Sequence, residues 1–148
     1  MRTRETNTWL GIAGFGAIAG LRTALAPALL GERLLASGPG MAPRVLKILA
    51  GVELLLDKMP FAGARTRGLP LAARAVSGGL IGFLLGRHSR SPAGAALLGA
   101  STAVGAAVGA YHLRKQATQR LGVPNVLAGM LEDGLALLAG RALLAVVE

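Results

Sequence analysis

The chain has 148 residues, 53% of them hydrophobic, no cysteine and a formal net charge of +9. The missing cysteines exclude disulfides, thiol chemistry and cysteine-based metal sites, and the basic residues are spread along the ends of apolar runs instead of forming the patch of a nucleic-acid-binding protein. The apolar share comes from small and aliphatic residues with only 3% aromatics, which is typical of helices packed in lipid and not of a soluble core.

Five apolar segments predict an all-α integral membrane protein with about five transmembrane helices. The first covers residues 9–30 and contains Arg22 and Pro27. Because proline lacks an amide hydrogen, Pro27 leaves the carbonyl of Thr23 without its helical partner. We therefore expect a helix broken by a polar hinge near Arg22, with a simple kink at a membrane interface as the alternative.

The second and third segments both carry charge. The second, residues 44–59, is only marginally long enough to cross a membrane. It places Glu53 and Asp57 four residues apart, on one face of a helix, with Lys58 beside Asp57. The third covers residues 69–86 and contains Arg74 near its start. Both segments therefore hold ionisable groups where a membrane helix usually has none.

The fourth segment, residues 92–111, carries no charge over its whole length. At 1.5 Å of rise per residue it spans about 30 Å, the thickness of the hydrocarbon core of a bilayer. It is the strongest single indication of a membrane protein. The fifth segment, residues 125–147, contains Glu132 and Asp133. These two side chains point about 100° apart on a helix, so at most one of them faces a narrow pocket.

Charges inside apolar helices are expensive, because a lone charge near the centre of a bilayer costs about 2.5–3.5 kcal/mol on insertion scales. One interpretation is a polar pocket for proton or cation coupling, lined by carboxylates with arginines as counter-charges. The other is a set of static salt bridges that hold short helices together. The residues of this predicted polar site are Arg22, Glu53, Asp57, Lys58, Arg74, Glu132 and Asp133.

Small residues recur every four positions on three of the segments, a spacing that lets helix backbones approach closely. We expect these faces to pack within the bundle or between copies of the chain. The residues of the predicted packing faces are Gly16, Gly20, Gly78, Gly82, Gly86, Ser101, Gly105 and Gly109.

Two pairs of segments resemble each other. Leu-Ala-Gly precedes an acidic residue at both 49–53 and 127–132, and the Leu-Arg dipeptide at 21–22 echoes the one at 113–114. The sequence thus predicts one transmembrane domain, residues 1–148, with repeat-like units at 9–60 and 92–148 around a connecting helix at 69–86. With one crossing between them the units face opposite ways, as in the inverted repeats of many transporters, unless Leu, Ala and Gly recur by chance.

Orientation is weakly specified by the basic residues. With five crossings, the N-terminus and a polar connection at 114–124 share one side of the membrane, and a tight polar turn at 87–92 lies on the other. Counting Lys and Arg gives eight on the first side and six on the second, which weakly favours a cytoplasmic N-terminus. The same near-balance is typical of a protein that inserts both ways round.

Catalytic motifs are missing from the sequence. His88 and His112 have no carboxylate at a metal-binding spacing, and neither a phosphate-binding glycine loop nor a nucleophile motif such as GxSxG occurs. We therefore expect no enzyme activity, no cofactor and no metal site. An enzyme acting on lipid is the least favoured alternative.

Three stretches carry a family resemblance: GLRTALAPALL at 20–30, VELLLDKMP at 52–60 and LEDGLALLAG at 131–140. Together they resemble the uncharacterised bacterial membrane-protein family catalogued as domain of unknown function 4126. The chain departs from that pattern around Val123-Pro124-Asn125, where the order of Pro and Asn is reversed, and in its richness in Arg. The resemblance implies a multi-pass protein of the bacterial inner membrane and implies no activity.

Taken with the charges, these features favour a small transporter- or channel-like membrane protein that uses intramembrane acidic residues to pass protons, ions or a small solute. The alternative is a non-catalytic scaffold or accessory subunit of a larger membrane complex. The predicted partners are the lipid bilayer and either a second copy of the chain or another membrane protein, with no nucleic acid.

Overall fold

The computed structural model of the chain describes residues 2–34 and 68–146. Within these ranges all regular structure is helical and no strand occurs, which confirms the all-α prediction. The second predicted segment, with Glu53, Asp57 and Lys58, lies outside the described residues. The five helices are α1 (Arg2–Leu21), α2 (Leu25–Leu34), α3 (Leu69–Gly86), α4 (Pro92–Arg120) and α5 (Asn125–Val146).

Helix α3 has the bounds predicted from the sequence, and the turn after it is short and polar, as expected. The Ser89 hydroxyl donates to the carbonyl of Gly86 at 2.7 Å. Ser91 caps α4, because its hydroxyl accepts a hydrogen bond from the amide of Gly94 at 3.1 Å. Pro92 follows at the first helical position, where a missing amide hydrogen costs nothing.

Helix α4 is nine residues longer than the apolar segment that predicted it. It continues through the basic stretch to Arg120. The prediction of a polar connection over residues 114–124 is therefore wrong, and the connection consists of residues 121–124. Arg, Lys, Gln and Ala are good helix formers, and nothing breaks the helix before Gly122. Gly122 has a φ of 65°, the left-handed conformation in which glycine commonly ends a helix.

Helices α1, α3 and α4 form a core of small residues. The buried face of α4 consists of Ala95, Gly99, Ala103 and Ala107. Side chains on the predicted glycine faces of the other two helices would collide with α4: a Cβ at Gly16, Gly20, Gly78 or Gly82 would overlap its backbone, and one at Gly86 would overlap Ala95. At these glycines of the first and third segments the helix backbones approach closely, and this approach holds the core together.

The third predicted packing face does not pack within the described bundle. Ser101, Gly105 and Gly109 are exposed, and a Cβ at either glycine would meet open space. Two series of small residues with a four-residue spacing run along α4, and the series through Gly99 faces α1 and α3. Contact between copies of the chain through the outer series stays a prediction.

Helix α1 runs parallel to α4 and antiparallel to α3. Ile12 lies beside Gly86 near the start of α4, Gly16 lies against Gly99, and Gly20 lies against Ala103. The beginning of α1 is therefore at the same end of the bundle as the turn at 87–91. The predicted arrangement, which placed the N-terminus with residues 114–120, is wrong. Because α1 and α4 run in the same direction, they also lack the opposite orientations that the predicted inverted repeat requires.

The first segment is not a single kinked helix, because α2 does not continue the line of α1. Helix α5 runs antiparallel to α1, with Leu143 at Gly14 and Ile18 at Gly140. The Leu29 side chain of α2 also lies at Gly140, beside Ile18, although it is eleven residues further along the chain. After a tight turn closed by the amide of Leu25 and the carbonyl of Arg22 (3.2 Å), α2 thus folds back into the bundle.

The non-helical turn between α1 and α2 lies well inside the bundle. Residues 22–24 follow Gly20, which packs against Ala103, eleven residues after the start of α4. Because α4 rises 1.5 Å per residue, the turn lies level with a point about 20 Å along α4 from its beginning. The apolar stretch of α4 is about 30 Å long. We call residues 22–24 the α1–α2 break.

Candidate functional site

The buried polar side chains of the described residues gather around the α1–α2 break. Arg22 is 2% exposed, Arg74 is 8% exposed and Ser77 is 9% exposed. Arg22 belongs to the break itself, and Arg74 and Ser77 lie three residues apart on one face of α3. Because Gly78 packs against Gly99 and Ala103, this part of α3 is level with the break.

An ion pair joins the break to α5. The Nε of Arg22 donates to Oδ1 of Asp133 at 2.6 Å, and Nη2 of Arg22 donates to the same oxygen. Arg22 is thus paired with an acidic residue of the fifth segment, as both interpretations of the predicted polar site expect. Because Arg22 is almost fully buried, removing either partner would leave a charge in an apolar interior.

A hydrogen bond joins the break to α3. The Ser77 hydroxyl donates to the carbonyl of Thr23 at 2.6 Å. This is the carbonyl that Pro27 deprives of its helical donor, so the predicted polar hinge is confirmed and a side chain of another helix satisfies it. Pro27 itself lies in the first turn of α2, where a missing amide hydrogen is tolerated.

The two adjacent acids of α5 diverge, as their 100° separation predicts. Asp133 faces the break, whereas Glu132 accepts a hydrogen bond from Nη2 of Arg114 on α4. The Arg114 guanidinium also lies against Gly129, 3.3 Å from where a Cβ would be. Sequence reasoning missed Arg114 as a partner because it placed the residue in a connection. The uninterrupted run of helix formers up to Arg120 was the signal for a longer helix.

The two histidines make local contacts. His88 accepts a hydrogen bond from Nε of Arg87 at 3.0 Å in the exposed turn, and the His112 ring lies edge-on to Tyr111 at 5.5 Å. No group of three metal-binding side chains occurs among residues 2–34 and 68–146. Glu53, Asp57 and Lys58 lie outside the described residues, so their convergence on the break stays a prediction.

Among the described helices, α4 alone is both long enough and apolar enough to cross a membrane, judged by length and composition. A shorter apolar helix covers Pro70–Gly86. Helix α5 is 22 residues long but includes Glu132, Asp133 and Arg141. Two of these three charges are held in ion pairs, Asp133 with Arg22 of the break and Glu132 with Arg114 of α4.

Comparison with known proteins finds no matching family model, no matching curated protein and no matching solved structure. The resemblance to the family named above therefore stays a prediction.

Proposed function

We propose that the chain is a multi-pass membrane protein of the bacterial inner membrane. Its distribution of side chains supports this setting. The interior of the described part combines many Ala and Gly with a few large apolar side chains, such as Phe15 and Ile81, and with two buried arginines. Many large apolar side chains are also exposed on the outside. Among the exposed ones are Val76, Leu97, Leu131, Leu135 and Leu138. In water such a surface would drive association, and in lipid it is the expected one.

Within that setting we propose a transporter- or channel-like function in which the α1–α2 break and Asp133 form the site of proton, ion or small-solute passage. One observation carries the proposal: a non-helical turn with a buried ion pair lies inside an apolar bundle. Irregular backbone at membrane depth is tolerated where it is buried in protein or lines a cavity, and broken helices of this kind form the sites of many transporters.

The ion pair suggests how such a site would work. Arg22 is a partner of Asp133, and a proton or cation that competes for the same carboxylate releases the arginine. Arg22 follows the last residue of α1, and the neighbouring Thr23 carbonyl accepts a hydrogen bond from Ser77 of α3. Release of Arg22 from Asp133 would therefore affect α1, α3 and α5 together. Coupling would consist of exchange between the guanidinium and the transported or coupling ion at Oδ1.

The test is flux into liposomes that contain the purified protein, under imposed proton, sodium and potassium gradients. We expect Asp133→Asn to reduce flux at least about tenfold, which corresponds to about 1.4 kcal/mol. The matched control is Glu132→Gln, the neighbouring acid whose ion pair lies away from the break, and it should change flux less than about twofold. The absence of flux under every gradient, with wild-type protein shown to be incorporated, would contradict the proposal.

The alternative is a non-catalytic subunit of a membrane complex. Two observations favour it: both acids of α5 are held by arginines, as static bridges would be, and α4 presents an outer series of small residues. This function predicts stable co-purification with a membrane partner and no flux. A monodisperse protein isolated alone, with gradient-driven flux, would exclude it.

A further inference from the structure

We infer that the end of the bundle formed by residues 112–131, the last part of α4 and the first part of α5, binds the headgroups of anionic phospholipids. We call these residues the basic end. The inference rests on the membrane setting proposed above, and it names a partner for a surface that the transport site does not use.

The charge of the basic end has one sign. Residues 112–131 contain Arg114, Lys115 and Arg120 and no acidic residue. Glu132 is the nearest carboxylate along the chain, and Arg114 occupies it. Lys115 and Arg120 are exposed, and neither forms an ion pair with a described carboxylate. Two positive charges therefore remain for a ligand from outside the bundle.

Large apolar side chains stand among these charges. Leu113 is 69% exposed and Leu121 is 77% exposed, on either side of Lys115 and Arg120 along the chain. Helix α4 continues for nine residues after Tyr111, or about 14 Å, which carries it from the hydrocarbon layer into the headgroup layer. Basic and apolar side chains exposed together are the combination that binds an anionic membrane surface, since the leucines enter the acyl boundary and the cations meet the phosphates.

The opposite end of the bundle provides a matched comparison. The turn at 87–91 also has two exposed arginines, Arg87 and Arg90, but its remaining residues are His and Ser. The turn therefore carries the same number of exposed arginine or lysine charges as the basic end, and neutralising them is a control for net charge.

The experiment places a reporter at the basic end. In the variant Trp9→Phe/Leu121→Trp, the single tryptophan sits beside Lys115 and Arg120, and its fluorescence is quenched by brominated lipid. One set of vesicles contains brominated phosphatidylglycerol in unlabelled phosphatidylcholine. The other set contains unlabelled phosphatidylglycerol in brominated phosphatidylcholine. We expect the anionic lipid to be preferred about fivefold or more at this site, because each basic residue near an anionic membrane surface raises the affinity about fivefold. Adding Lys115→Gln/Arg120→Gln should reduce the preference to below about twofold.

The control adds Arg87→Gln/Arg90→Gln to the same reporter and should leave the preference within about twofold of its starting value. Equal quenching by the two lipids in incorporated protein would overturn the inference, and so would an equal loss in the control, which would indicate a general charge effect. Protein that fails to float with vesicles of either composition would instead overturn the membrane setting on which the inference rests.

Discussion

Helices α4 and α5 are attached to α1 in different ways. Between α1, α3 and α4, glycine and alanine bring backbones together so closely that added side-chain atoms would collide. Helix α5 meets α1 through the side chains of Leu143 at Gly14 and Ile18 at Gly140, and it meets the α1–α2 break through the ion pair of Asp133 with Arg22. Close backbone packing has one arrangement, whereas an ion pair can open and close. We therefore expect α5 to be the helix whose position depends on the charge state of its ion pair.

The largest effect is expected at the ion pair. Asp133→Ala removes a carboxylate that pairs with the buried Arg22 guanidinium and should lower the free energy of unfolding by about 3–5 kcal/mol. The double variant Arg22→Met/Asp133→Leu should recover most of that loss, because two apolar side chains need no partner. Denaturation of the purified protein in detergent measures both. A single variant as stable as the wild type would show that α5 does not depend on this pair.

The next effect is expected in the small-residue core. Gly82→Leu puts a side chain into the backbone of α4 near Ala95 and should cost about 1–3 kcal/mol or more. Gly105→Leu makes the same chemical change on the exposed side of α4 and should not destabilise the protein. The two variants are compared by their midpoints of unfolding. Equal destabilisation would mean that the three-helix core is not closely packed.

A smaller effect is expected at the hydrogen bond that crosses from α3 to the break. Ser77→Ala leaves the carbonyl of Thr23 without the hydroxyl donor and should cost about 1–2 kcal/mol. Ser101→Ala is the control, since Ser101 is an exposed serine whose hydroxyl bonds only to Leu98 of its own helix, and it should change stability by less than about 0.5 kcal/mol. The free energies of unfolding of the two variants are compared by the same denaturation measurement. Equal losses would contradict a stabilising role of the Ser77 hydrogen bond.

The smallest effect is expected at the second ion pair. Glu132 and Arg114 are each partly exposed, and Glu132→Gln keeps a hydrogen-bond acceptor, so the loss should be about 1 kcal/mol or less. Added salt should weaken this contribution more than that of the Arg22–Asp133 pair, which is less accessible to ions. A larger loss of stability at Glu132 than at Asp133 would contradict the prediction that the Arg22–Asp133 pair contributes more than the Arg114–Glu132 pair.

The sequence predicted those features that depend on neighbouring residues. The bounds of α3 follow from its flanking turns, the hinge follows from the missing amide of Pro27, and the divergence of Glu132 and Asp133 follows from helical geometry. It did not predict which face of α4 packs inward, because the series through Gly99 and the series through Gly105 have the same spacing.

The direction of α2 could not be predicted from the sequence either, because it depends on tertiary contacts. Arg22 and Pro27 indicate that the helix breaks but say nothing about the angle at which the chain continues. That angle depends on contacts distant in sequence, such as Leu29 at Gly140 and Ser77 at Thr23. The partner of Glu132 also depends on tertiary contact, since Arg114 reaches it only when α4 extends past its apolar stretch.

The parallel alignment of α1 with α4 has a consequence for sidedness. In the membrane setting proposed above, a thiol placed at Arg4 and one placed at Ser89 would face the same compartment of a sealed vesicle, and one at Gln119 would face the other. Because the natural chain has no cysteine, each single-cysteine variant reports on its own position without background. An impermeant maleimide would then label the first two together and spare the third, or label the third alone.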